Sequence, residues 1–123
     1  MNPLPAYYLS EFHKHQFIHN IFFTETINFA HYSCGNCDAS DRSRLYALYL
    51  NDYFQQCQKP VNLLDIAPDA ALSKFLKKKS FINYRSMDLY MPEADDHLDI
   101  TDMHLYEDGR FDFLICSHVL EHI

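Results

Sequence analysis

Apolar and polar residues follow two rhythms along this chain, and the change falls near Lys59-Pro60. Upstream, Leu45, Leu48, Tyr49 and Tyr53 recur at helical steps, so they share one face of a helix. Ser40 or Asp41 stands where an N-cap is needed, which predicts a helix running to about Gln58 whose apolar face packs on a downstream sheet. Earlier still, Tyr7 to Phe23 mixes His, Phe and Ile without a clean period; it reads as a helix followed by an extended piece at Thr26 to His31. Downstream the rhythm quickens. Val61 to Ile66 predicts a strand, Asp69 to Lys78 a helix, and Phe81 to Arg85 a strand. After a polar loop with Pro92 come a short strand at His97 to Ile100 and a last strand at Phe111 to Cys116, entered from a turn at Asp108-Gly109. Strand, helix, strand in that order implies a right-handed crossover and a parallel pair, hence an α/β layered sheet.

With 123 residues, 48% hydrophobic and 22% charged, the chain can bury one small core. Its organisation reads as an N-terminal helical, cysteine-containing element over residues 1–59 and a sheet domain over residues 60–123. Nine Tyr and ten Phe exceed what a disordered segment carries, since such side chains need something to bury against. The formal charge of −7 argues against a nucleic-acid surface, which needs clustered Lys and Arg. The one basic run, Lys74 to Lys79, reads as a solvated helix end. No apolar run approaches the roughly 20 residues that span a bilayer, and the N-terminus lacks the pattern of a signal peptide. A cytoplasmic protein with no membrane partner is the expectation, its four cysteines being thiols or metal ligands.

In an open parallel sheet, ligands bind beyond the carboxyl ends of the strands. Acids recur there: Asp65 ends the first strand, Asp88 follows the second, Asp99 lies in the third, and Ser117-His118 leave the fourth. An acid about 20 residues past the first strand-to-helix turn suits the hydroxyls of a ribose, and Asp88 stands there; the plainer reading is that it caps a turn ahead of Leu89.

The stretches VNLLDIAPDAAL, SMDLY, LDITDM and FDFLICSHVLEHI, in that order, resemble the class I S-adenosylmethionine-dependent methyltransferases of the type 11-like group. The resemblance covers Val61 to Ile123, and the last motif is its most specific part. YSCGNCDASDRSRLYALYL extends it more weakly to Tyr32, as the CxxC-and-helix element found ahead of some of these enzymes. It implies a partial Rossmann-like parallel sheet of the first four strands, the N-terminal half of the enzyme, ending after the fourth strand. It implies S-adenosylmethionine as cofactor, with Asp65, Ala67 and Pro68 in the loop under its methionine part and Asp88 on the ribose. Asp99 would face the adenine amino group and Ile100 the ring, with Ser117 and His118 beside the methionine moiety or the acceptor entrance. The group's first loop is glycine-rich, whereas this chain has Ala67-Pro68-Asp69, which fits if the turn keeps negative φ. The methyl acceptor, a small molecule or glycan, is not legible.

Where the acceptor is a hydroxyl or amine, His118, or less readily His122, is the candidate general base. The same His118-Val-Leu-Glu-His122 also fits the H-x-x-E-H zinc signature, although it directly extends a buried-type strand and lacks a third ligand. Cys34-Gly-Asn-Cys37 has zinc-knuckle spacing, but a closed site needs completion by His31, by His13, His15 or His19, or by Cys57. Otherwise the pair is reduced and shapes a tight turn, with a redox role as a further reading. Arg42 and Arg44 pair with Asp38 and Asp41 or meet an anionic acceptor. The competing reading of the whole is a non-catalytic remnant that binds zinc or a partner. The fourth strand is expected to present an apolar, unpaired edge that invites self-association.

Overall fold

A computed structural model describes residues 6–16 and 30–123. Two compact units divide the chain, Met1–Tyr46 and Ala47–Ile123. In the first, helix α1 (Ala6–Lys14) buries no side chain. It matches the start of the helix expected from Tyr7; the rest of that segment, and most of the extended piece at Thr26 to His31, lie outside the described residues. Residues 33–40 form a tight loop closed by an antiparallel bridge between Ser33 and Ser40. Helix α2 (Asp41–Gln55) follows and crosses into the second unit after Tyr46. Ser40 starts it, its Oγ accepting from the Ser43 amide at 3.1 Å.

The second unit holds strands β1 (Val61–Ile66), β2 (Ile82–Met87) and β3 (Phe113–Cys116), with helix α3 (Ala70–Leu76) between the first two. The sheet is parallel throughout in the order β2-β1-β3, an α/β arrangement with β1 at the centre. All of VNLLDI but Asn62 is buried, as expected of a strand covered on both faces, where apolar residues need not alternate with polar ones. Asp69 caps α3 by accepting the Leu72 amide at 2.8 Å. Asp112 joins β3 to β1, its Oδ2 accepting the Asn62 amide at 2.8 Å.

Residue alternation and register sort the core into two faces. Leu63, Asp65, Tyr84, Phe113 and Ile115 share the face toward the helices; the ring of Phe54 on α2 meets those of Phe113 at 5.5 Å and Phe81 at 6.1 Å. On the opposite face Leu64, Ile66 and Met87 pack with Leu98, covered by Ile100, Met103, Tyr106, Phe111 and Val119 from irregular chain.

Two expectations are corrected here. Three strands form among the described residues, and His97–Ile100 is not a fourth: pairing beyond β2 stops at a single parallel bridge, Met87 to Asp96. Leu98 and Ile100 carry the alternation that suggested a strand, and both turn onto the apolar cluster. The next amides are used locally instead, that of Thr101 donating to Asp99 Oδ1 at 2.8 Å. The buried side of α2 also differs from the one the spacing suggested. Leu50 and Phe54 are buried, whereas Leu45, Leu48, Tyr49 and Tyr53 are exposed. Both stripes have helical spacing, and the smaller one meets the sheet.

Candidate functional site

Beyond the carboxyl ends of the strands lies a cavity of about 450 Å³. It sits where the topology reverses: the chain runs from β1 to β2 on one side and returns to β3 on the other, so the loops leaving β1 and β3 diverge. Ile66 and Ala67 line it from β1, Met87 to Tyr90 from β2, Leu98 to Thr101 from the covering chain, and His118, Val119, His122 and Ile123 from the exit of β3. Six residues singled out from the sequence therefore meet in one place: Ala67, Asp88, Asp99, Ile100, His118 and His122.

Asp88 caps its own loop, as the plainer reading held. Its Oδ1 accepts from the amides of Tyr90 at 2.7 Å and Met91 at 2.8 Å. Oδ2 takes no hydrogen bond from any described residue, and Asp88 lines the cavity. Thus one oxygen orders the loop and the other remains an acceptor. Asp99 behaves similarly: its Oδ1 takes the Thr101 hydroxyl at 2.7 Å as well as the amide. These two bonds hold its carboxyl below the usual carboxylate range.

The first loop departs from expectation. Ala67 takes φ +54° rather than a negative value, and its amide donates to the Met87 carbonyl at 2.9 Å. A left-handed alanine costs roughly 1 kcal/mol relative to glycine, so the loop adopts a glycine-like shape without glycine. His118 is left-handed too, at φ +56°, and lines the same cavity. Its Nδ1 lies 2.8 Å from Glu121 Oε1, which leaves Nε2 to take or give a proton. Two left-handed residues thus line one pocket.

Asp65 does not belong to this rim. It is 1% exposed and faces α3, because its neighbour Ile66 takes the cavity side. Its Oδ2 accepts from Tyr84 Oη at 2.7 Å and Ser73 Oγ at 3.4 Å. Burial pushes its carboxyl up to about 6 despite these bonds, and pushes the Tyr84 hydroxyl well above its ordinary range. Pro68 and Ser117 are likewise absent from the lining.

A cluster with no sequence signature braces the site. Asp96 accepts a forked pair from Arg85, through Nε and through Nη2 at 2.6 Å, and takes the Tyr106 hydroxyl at 2.6 Å. The Arg85 guanidinium, aided by Tyr106, outweighs burial and holds the Asp96 carboxyl below its usual range. Next to it, Asp95 Oδ2 accepts the amide and hydroxyl of Ser86, both at 2.8 Å. Two adjacent acids fasten the loop between Asp88 and Asp99 to the sheet edge. Their partners sit eleven and ten residues away from Asp96, in a strand and a loop, so no local spacing announces them.

No group of three or more His, Cys, Asp or Glu gathers to hold a metal among the described residues. No helix among them is long and apolar enough to cross a membrane. Protein-family models, curated proteins and solved structures provide no match to this chain.

Proposed function

We propose that this chain is a cytoplasmic S-adenosylmethionine-dependent methyltransferase, with a Rossmann-like sheet that carries the cofactor-binding part of the enzyme. The observation that supports this reading most is the cavity at the reversal of the β2-β1-β3 order, with Asp88 on its wall. About 450 Å³ is within the range of small-molecule sites. The donor set suits an adenosyl group. Asp88 Oδ2 is a carboxylate acceptor for ribose hydroxyls, and Ile66, Leu98 and Ile100 offer an apolar wall to a flat ring. S-adenosylmethionine would supply an already activated methyl, so the protein's work is to position the reactants and exclude water. His118, oriented through Nδ1 by Glu121, would take the proton of a hydroxyl or amine acceptor at Nε2.

Calorimetric titration with S-adenosylmethionine or its demethylated product tests the reading. Saturable binding is expected, weakened roughly tenfold or more in Asp88→Ala, the size of a lost charge-assisted hydrogen bond. Asp88→Asn, which keeps an oxygen for the Tyr90 and Met91 amides, should fold as the parent does and still bind weakly. No heat at millimolar ligand would overturn the reading and favour a non-catalytic binding module.

A further inference from the structure

We propose that Cys34 and Cys37 form a thiol–disulfide exchange site that takes small-molecule disulfides, with Cys34 as the attacking sulfur and Cys37 as the resolving one. The loop holds the pair in a fixed turn. The Cys34 amide donates to the Ala39 carbonyl at 2.9 Å, the Asp38 amide donates to the Cys34 carbonyl at 2.8 Å, and Asp38 closes the turn at φ +57°. Arg44, the first-turn arginine of α2, braces both arms: its guanidinium donates to the carbonyls of His31 and Ala39 at 2.9 Å each and of Tyr32 at 3.3 Å.

The two sulfurs are not equivalent. The backbone at Asn36 and Cys37 and the neighbouring Cys37 thiol pull the Cys34 thiol below its ordinary value. Donors aimed at one sulfur favour its thiolate, the nucleophilic form. Cys34 is half-buried and Cys37 is exposed. Both are reachable by a small solute. Among the described residues no group of three or more His, Cys, Asp or Glu gathers around them.

Exchange proceeds in two displacements. The Cys34 thiolate attacks one sulfur of the small disulfide, forming a mixed disulfide and expelling a thiolate that takes a proton from water. Cys37, having given its proton to solvent, then attacks the Cys34 sulfur and expels the second small thiol. One S–S bond breaks and one forms, and two electrons pass from the protein dithiol to the small disulfide.

The reduced full-length chain is incubated with glutathione disulfide and followed by peptide mass spectrometry. The Cys34–Cys37 peptide should lose about 2 Da as an internal disulfide forms. Cys37→Ser should instead accumulate a glutathione adduct on Cys34, and Cys34→Ser should stop both. Alkylation of Cys34 by iodoacetamide at pH 7 should outpace that of Cys57 by roughly tenfold. A lasting adduct on Cys34 with Cys37 intact, faster alkylation of Cys37, or a stoichiometric zinc that shields both thiols would overturn the proposal.

Discussion

The two faces of one small sheet are fastened by opposite means. Toward the helices, Leu63 and Ile115 pack beneath ordered backbone, because α2 and α3 satisfy their own amides and carbonyls. That face therefore tolerates a buried polar cluster, Asp65 with Ser73 and Tyr84. On the other face the cover is irregular chain, whose amides have no helix to pair within. Carboxylates do that work, Asp88 for Tyr90 and Met91 and Asp99 for Thr101, while Asp95 ties the cover to the Ser86 amide of β2. The acids that mark the candidate site are also what builds its wall. A surplus of acids in this chain is therefore partly architectural.

The largest effect should come from the clamp on the irregular face. Asp96→Ala removes an acceptor whose side chain is 10% exposed and strands the forked Arg85 and the Tyr106 hydroxyl. Urea unfolding should show a loss of about 3 kcal/mol. A loss below about 1 kcal/mol would mean that the apolar cluster alone holds the cover, and the contrast between the faces would fail.

A smaller effect, of different sign, is expected under α3. The folded carboxyl of Asp65 stands near 6 against an ordinary 3.8, so folding favours its protonated form. Its contribution is complete below pH about 4 and is lost as pH rises through about 6. Asp65→Asn should flatten that slope and stabilise the protein at pH 7.5 by about 2 kcal/mol. Unfolding midpoints at pH 5 and pH 7.5 measure it; an unchanged slope would show the pocket to be wetter than its burial implies.

The smallest effect concerns the loop where the faces meet. Ala67→Gly relieves a left-handed residue and should add about 1 kcal/mol. Destabilisation instead would mean that the alanine methyl supports the cavity wall more than its φ costs.

Much of the sheet was legible because its strands announce themselves. β1 needed only the run VNLLDI, and the start of α3 only Asp69. His97–Ile100 was misleading because alternation reports which way side chains point, whereas a strand also needs a partner for its backbone. The face of α2 was ambiguous because Leu45, Leu48 and Tyr49 offer as good a stripe as Leu50 and Phe54. Asp88 and His118 were placed at the cavity because each lies just past a strand, and Asp99 reached it although the strand it was assigned to does not form. Asp65 was misplaced by one step of alternation. Asp96 was missed because Arg85 and Tyr106 meet it only through the fold.

The central position of β1 also sets an order of events in folding. β1 reaches β2 across 21 residues, as in the Asn62–Asn83 side-chain bond, but reaches β3 across 50, as in Asn62–Asp112. Closing the longer loop costs about 0.8 kcal/mol more in chain entropy. The β1-α3-β2 crossover is thus the natural nucleus, with β3 adding to a strand pair already formed. Substitutions at Leu63 or Ile82 should slow refolding, whereas those at Ile115 should chiefly quicken unfolding.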